Sequence, residues 1–418
     1  MGGVRLGADF ESPAAMPRRW LAGIFAICMA WAILVAIFTT DHVHQLWGEM
    51  AAVGYGIALV IALALRHPRT ADLAVGAAFL GALLVPLGAL AAQGLMQPEV
   101  WVVADSGASL IQHGTPYTGA AALADVQDPN AYNPYLPVMA LFGLPRAFFD
   151  LGLLTDPRVW FGVVFLAVFW LALRHAGARD PGRWTFLVAG TPVIAFELAV
   201  GGTDVPMVGF LCLGFGYLWV RQPALAGLAL GIGAAMKATA WPALLVAVSL
   251  LAVRDGKRAA GAFSLTALGV VAACVGPFII GHPKALVVNT IMFPLGLASV
   301  RSAASSPLPG HIIASAWPNT GHTIVVVLLA LAGAAVAASL VFRPPRSVPR
   351  AVMLLAGAMT LMFVLAPSTR FGYFIYPAAL TIWLFAGWAG RKADENGELG
   401  EIAVGFLPAR VPESPPPA

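Results

Sequence analysis

Charged residues are scarce in this sequence. Asp, Glu, Lys and Arg make up 11% of its 418 residues, whereas they make up about a quarter of an average soluble domain. Hydrophobic residues make up 59%, and the mean hydropathy is +0.82. A soluble globular domain is excluded by this balance, and the composition indicates an integral membrane protein.

Paired cysteines, metal-ligand spacings and nucleotide-binding loops are also missing. Cys28, Cys212 and Cys274 all fall inside apolar runs, so they say nothing about the redox compartment. The acidic residues show no spacing that supports a metal site. The glycines of GLALGIG, at 227–233, have the spacing of a small-residue surface for helix packing. We therefore expect neither a metal ion nor another cofactor.

Long apolar runs recur from Trp20 to Trp388. Many approach the ~20 residues of a helix that crosses a ~30 Å hydrocarbon layer, and short segments with Arg, Pro and Gly separate them. The sequence therefore predicts an all-α polytopic membrane protein with about twelve transmembrane helices. The predicted spans are 20–39, 49–65, 72–94, 159–173, 185–200, 206–220, 223–236, 239–253, 259–280, 322–342, 351–366 and 372–389.

The topology depends on one ambiguous segment, 135–149, which is apolar but short and contains two prolines. If it lies at the interface without crossing, about eighteen basic residues share one side with the basic N-terminus and about six lie opposite, as the positive-inside rule expects. The six are Arg146, Arg158, Lys237, Lys284, Arg301 and Arg370. This arrangement predicts cytoplasmic termini in a plasma (inner) membrane. The net charge of +4 is then a topology signal and does not indicate a nucleic-acid partner.

The same topology divides the chain into five regions. They are a cytoplasmic N-terminus at 1–19, three helices at 20–94, an extracytoplasmic loop with an interfacial segment at 95–158, a transmembrane core at 159–390 with an outer loop at 281–321, and a disordered cytoplasmic tail at 391–418. Both outer loops are longer than a simple connection requires, so we expect function on the outer face.

Several ionisable side chains on the outer face are candidates for function, because charges at a bilayer edge are costly unless they are paired or wet. They are Asp105, Asp204, Lys237, Arg301, His311 and Arg370. Lys237 stands between two short apolar runs; a cation held there suits a phosphate, although it could also snorkel to the headgroups. Asp204 follows two glycines and could instead cap the next helix.

Four sequence pieces occur in order along the chain: Asp105 followed by GTPY, then YNPYLPVMALFGLP, then GGTD, and then LAGLALGIGAAMKATAWP with its lysine turn. Together they resemble the GT-C class of membrane glycosyltransferases, and within it glycosyltransferase family 87, a polyprenyl-phosphate-mannose-dependent group typical of actinobacteria. The resemblance covers roughly residues 95–255, with looser similarity to about 390. Gly202 and Thr203 replace a more usual polar pair before Asp204, and STRFGYFIYP has no His-His pair.

The resemblance implies an inverting hexosyltransferase that moves mannose or another sugar from a polyprenyl-phosphate donor to a cell-envelope glycolipid or glycan. Asp105 would act as general base on the acceptor hydroxyl. Lys237 and Arg370, with Arg301 as a weaker candidate, would bind the departing phosphate. His311 would assist as a base or phosphate ligand. The candidates for substrate binding are Asp204, Tyr117, Tyr132 and Tyr135.

Two other classes of protein stay open. A multi-pass transporter or lipid flippase would also have about twelve helices, but it is expected to have related halves, and we find no convincing internal repeat. A noncatalytic protein of envelope assembly would tolerate the loss of the outer charges. The large first outer loop favours an enzyme.

Overall fold

The computed structural model describes residues 16–149, 151–300, 304–317 and 319–405, with backbone alone beyond 391. Within these ranges the chain is helical and forms no strand beyond an isolated bridge between Ser305 and Thr369. We number the helices of eight or more residues. They are α1 (Arg18–Phe38), α2 (His42–Ala64), α3 (Thr70–Ala92, with a π-helical turn at Leu80–Leu84), α4 (Pro98–His113), α5 (Pro157–Ala176), α6 (Pro181–Ala189), α7 (Pro192–Val200), α8 (Val205–Trp219), α9 (Pro223–Met236), α10 (Trp241–Arg254), α11 (Lys257–Gly281), α12 (Pro309–Ala316), α13 (Gly321–Phe342), α14 (Val348–Leu365) and α15 (Ile375–Gly405).

The all-α polytopic class is confirmed, but the number of full spans is smaller than predicted. Among the described residues, eight helices are long and apolar enough to cross a membrane. Helices α6 and α7 form a ninth candidate, bent by 60°. The other three predicted spans are helices α8, α9 and α10, of 15, 14 and 14 residues. At 1.5 Å per residue, such helices fall well short of a ~30 Å hydrocarbon layer.

The bend between α6 and α7 has a local cause. Gly190 ends α6 and Pro192 begins α7, and proline supplies no backbone N–H to continue the helix. Helix α7 then ends at Gly201, whose φ of 120° lies in the range that favours glycine. The chain turns through Asp204 into α8. These interruptions, like the short helices that follow, place polar side chains at helix ends close to the core.

The first predicted outer loop is more helical than its sequence suggested. Its start, 98–113, is helix α4, which begins on a proline and ends on Gly114 at a φ of 68°. The ambiguous segment forms a 3₁₀ turn (Pro137–Gly143) followed by Leu144–Phe148, which together are too short to cross a membrane. Residues 391–405, predicted as part of a disordered tail, continue helix α15, and 406–418 lie outside the described residues.

Helix α4 packs against the 3₁₀ turn through two glycines. A Cβ on Gly107 would lie 2.4 Å from the Gly143 carbonyl carbon, and a Cβ on Gly143 would lie 2.2 Å from the Val103 oxygen. Both contacts are with backbone, which has little freedom to move away. The absence of side chains at these two positions therefore sets how closely α4 approaches the turn.

We predict that Gly107→Ala destabilises the protein by roughly 1–3 kcal/mol, because the added methyl group overpacks this contact. Gly88→Ala is the matched control, since Gly88 is also helical and a Cβ there meets no atom within 4 Å. The measurement is thermal unfolding in detergent. Equal melting temperatures for the two variants would contradict the close contact.

Candidate active site

Five charged side chains come together at helix ends, and we call them the charged cluster: Glu99, Glu197, Asp204, Lys237 and Arg370. Glu99 lies in the first turn of α4, Glu197 near the end of α7 and Asp204 just before α8. Lys237 fills the break after α9, and Arg370 precedes the last helix. The charges of the other four all act on the Glu197 carboxyl group.

Lys237 and Asp204 form the most enclosed ion pair of the charged cluster. The Lys237 Nζ lies 2.6 Å from the Asp204 Oδ1, with side chains 13% and 8% exposed. The Tyr376 hydroxyl donates to the same carboxylate oxygen at 2.5 Å and lies 2.9 Å from the Thr239 Oγ1. Lys237 therefore points into the protein, which disagrees with snorkelling to the headgroups. Asp204 makes no side-chain cap of α8.

Arg370 and Glu99 form the more open pair. Their side chains are 35% and 22% exposed, and the Arg370 Nη1 contacts the Glu99 Oε1. The other carboxylate oxygen, Glu99 Oε2, is buried and has no hydrogen-bond partner among the described residues. A buried oxygen without a partner is unusual, because desolvation without a hydrogen bond is costly. This oxygen is free to accept a proton or a hydrogen bond from a bound molecule.

Glu197 lies between two glycines of separate segments. A Cβ on Gly202 would lie 2.0 Å from Glu197 Oε2, and a Cβ on Gly372 would lie 2.5 Å from Glu197 Oε1. A side chain in place of either glycine would therefore overlap with the Glu197 carboxylate. Since Gly372 is two residues after Arg370, the absence of a side chain there lets the Arg370 segment approach Glu197 of α7 closely.

Two tyrosine rings line the space between the cations. Lys237 Nζ lies 5.5 Å from the Tyr135 ring centre and 5.1 Å from that of Tyr373. Both tyrosines also interact electrostatically with Arg370. Burial raises the pKa of Tyr135 above its usual range, although Lys237 opposes that shift, so its phenol stays neutral.

Asp105, the base predicted from the sequence, is not brought to the charged cluster. It is exposed on α4, and the charge that acts on it is Arg146. The Arg146 guanidinium lies over the Trp101 ring at 4.5 Å. Partial burial raises the pKa of Asp105, and Arg146 opposes the shift. Its surroundings are therefore those of a surface carboxylate beside a surface cation.

The other predicted residues divide between the cluster and the loops around it. The structure brings Asp204, Lys237, Arg370 and Tyr135 together. The Tyr117 hydroxyl donates to the Tyr135 carbonyl at 3.0 Å, so it holds the loop. The Tyr132 hydroxyl lies 2.9 Å from the Ser299 Oγ.

His311 and Arg301 complete the set of predicted residues. The His311 Nδ1 lies 3.0 Å from the Pro367 oxygen and its Nε2 lies 3.4 Å from the Ser315 Oγ, and neither partner belongs to the charged cluster. Arg301 lies outside the described residues. The described residues hold no group of three or more His, Cys, Asp or Glu side chains that could bind a metal ion, and the expected independence from metal stays a prediction.

Sequence reasoning missed Glu99, Tyr373 and Tyr376. Glu99 had a usable signal, since it follows Pro98 and an acidic residue behind a proline is typical of a first helical turn. Tyr376 had none, because its role depends on how the last helix packs against Asp204.

The model of glycosyltransferase family 87 matches residues 133–367. No curated protein matches the chain. Among solved structures, ArnT from Cupriavidus metallidurans in the apo state is 15% identical, with a TM-score of 0.45 over 76% of this chain and 62% of that one. ArnT from the same organism bound to undecaprenyl phosphate is 16% identical, with a TM-score of 0.43 over 78% and 66%. The chain thus spans less than two thirds of either ArnT chain.

We predict that Asp204→Asn destabilises the protein by roughly 3 kcal/mol or more, because it leaves the Lys237 ammonium buried without a carboxylate. The double variant Asp204→Asn, Lys237→Met removes that charge and should recover much of the loss. Thermal unfolding in detergent measures both. A double variant that is less stable than the single one would contradict the coupling.

Proposed function

Because the chain belongs to glycosyltransferase family 87, we propose that it moves a sugar from a polyprenyl-phosphate donor to a glycolipid or glycan of the cell envelope. The protein is a multi-pass membrane glycosyltransferase. The sugar donor, the acceptor and the mechanism belong to the proposal. The observation that carries it is the unpartnered Glu99 oxygen beside Arg370, since this places a proton acceptor next to a cation for a phosphate.

Arg370 is the cation that we assign to the donor phosphate. Its side chain is 35% exposed, against 13% for Lys237, so it is the more accessible of the two. Its guanidinium has five donors and can bind a phosphate while it keeps its contact with Glu99. Lys237, which lies beside the Tyr135 and Tyr373 rings, adds further positive charge. Fixed cations of this kind stabilise the charge that develops on a departing phosphate.

Glu99 is the group that we assign as general base. Its free carboxylate oxygen would accept the proton of the acceptor hydroxyl while that hydroxyl oxygen attacks the anomeric carbon. The bond from this carbon to the phosphate oxygen breaks, and polyprenyl phosphate leaves with the bonding electrons. Attack opposite the leaving group inverts the configuration. A positioned base contributes about 10²–10⁴-fold to the rate of such a step.

An apolar groove of about 310 Å³ lies beside α9, and its lining includes Met236, the residue before Lys237. Its lining includes Leu141, Trp160 and Phe210. A groove without polar lining side chains suits a hydrocarbon chain. We assign it to the first isoprene units of the donor, with the phosphate toward the charged cluster.

Several finer assignments belong to the same proposal. The sugar is mannose or another hexose or pentose, and the buried Tyr135 and Asp204 support its site through their contacts with Lys237. The reaction takes place on the outer face of the plasma (inner) membrane, with both termini in the cytoplasm. The residues of the charged cluster suffice for this chemistry, so no cofactor or metal ion is proposed.

We predict that Glu99→Gln lowers sugar transfer at least 100-fold, because an amide cannot accept the proton. Asp105→Asn should keep most of the activity, since its carboxylate lies with Arg146 and away from the charged cluster. The assay uses purified protein in lipid nanodiscs, a radiolabelled polyprenyl-phosphate mannose and a glycolipid extract, and it follows new glycosylated lipid.

The opposite pattern in this assay, with activity lost only in Asp105→Asn, would return the base to Asp105. Movement of label across a vesicle membrane without a new glycosidic bond would instead favour a lipid flippase. Neither outcome is expected, because the carboxylate and cation at the charged cluster are suited to a bond-forming step.

We predict that Arg370→Lys raises the KM for the polyprenyl-phosphate donor about 10-fold or more, because a lysine cannot contact Glu99 and a phosphate in the same bidentate manner. Arg146→Lys is the control, since Arg146 is also partly exposed and packs on an aromatic ring. Steady-state kinetics at varied donor concentration measure both. An unchanged donor KM in Arg370→Lys would remove Arg370 from the phosphate site.

A further inference from the structure

Arg158 takes no part in the proposed sugar transfer. Among the described cations that the sequence predicts on the outer face, it is the most completely buried. Its side chain is 0% exposed. Its Nη2 lies 2.7 Å from the Asp156 Oδ2, and its Nη1 donates to the Leu95 carbonyl at 3.0 Å and to the Ala199 carbonyl at 2.8 Å. One guanidinium therefore joins three segments of the chain.

Two of these segments carry the carboxylates of the charged cluster. Leu95 follows the end of α3 and lies four residues before Glu99. Ala199 lies two residues after Glu197 and five before Asp204. A backbone hydrogen bond of 2.8 Å, from the Gln97 N–H to the Val200 carbonyl, joins the same two segments next to the arginine. Arg158 thus connects the backbone that precedes Glu99 to the backbone that surrounds Glu197.

We propose that Arg158 is a positioning residue that sets the distance between the Glu99 segment and the Glu197–Asp204 segment. It acts through backbone carbonyls and touches neither substrate nor the charged cluster. The inference rests on the proposed function, because its consequence for the rate requires Glu99 to be the base. A base displaced by about 1 Å is expected to lower the rate by up to about 100-fold.

The chemistry of this position requires arginine. Asp156 neutralises the guanidinium and also caps helix α5 by accepting the Arg158 N–H at 2.9 Å. Nε and Nη2 donate to Asp156, and Nη1 donates to both carbonyls, so a planar group with five N–H bonds serves all three partners at once. A lysine would keep the charge, but its one nitrogen would have to serve Asp156 and both carbonyls together, so it could not keep all three contacts in the same geometry.

Arg254 offers a matched control far along the chain from these segments. It also forms an ion pair with a neighbouring aspartate, Asp255, and its Nη2 donates to the Leu218 carbonyl at 2.7 Å. Its side chain is 14% exposed. Arg254→Lys therefore removes a comparable buried connection between helices without touching the carboxylate segments.

The experiment compares Arg158→Lys with Arg254→Lys in nanodiscs, with kinetics expressed per folded protein. We expect Arg158→Lys to lower kcat by roughly 10- to 100-fold, with a smaller change in donor KM. Arg254→Lys should leave kcat unchanged. Hydrogen exchange of the Gln97 amide should accelerate in Arg158→Lys alone, because the two segments are no longer clamped.

An unchanged kcat in Arg158→Lys, or an equal loss in both variants, would overturn the positioning role and leave Arg158 a stabilising residue. Unchanged exchange at Gln97 would overturn it as well. If the wild-type protein transfers no sugar, the proposed function fails, while the exchange measurement still tests whether Arg158 holds the two segments together.

Discussion

The pairing of opposite charges at the ends of interrupted helices is the constraint on which the site depends. An isolated buried charge is costly, so each cation of the charged cluster is paired with a carboxylate from another part of the chain. Asp204 neutralises Lys237, and Glu99 neutralises Arg370. These contacts fix the relative positions of α4, α8, the break after α9 and the start of the last helix.

The two pairs differ in a way that suits two roles. The Lys237–Asp204 pair is enclosed and receives a further hydrogen bond from Tyr376, so it acts as a fixed part of the core. The Arg370–Glu99 pair is more open and leaves one carboxylate oxygen without a partner. In the proposed mechanism the enclosed pair supports the site, and the open pair contacts the substrates.

Much of this site could be predicted from the sequence. A charged residue at a break between apolar helices costs free energy unless it is paired or wet, so such a residue is a candidate for function. That reasoning found Asp204, Lys237 and Arg370. The family resemblance assigned the base to Asp105, and Glu99 was missed because no helix was predicted for this stretch. In a helix over 98–113 each residue turns by about 100° around the axis. Glu99 and Asp105 are six residues apart, so their side chains point in directions that differ by about 120°. Similarly, hydropathy alone could not separate full spans from the short helices α8 to α10, since both are equally apolar.

A structure with polyprenyl phosphate bound in nanodiscs would test the central claim most directly. We predict density for the phosphate within hydrogen-bond distance of the Arg370 guanidinium, close to Glu99, with the isoprenoid chain leading into the groove beside Met236. Phosphate density at Arg146 and Asp105, with the charged cluster unoccupied, would contradict the account.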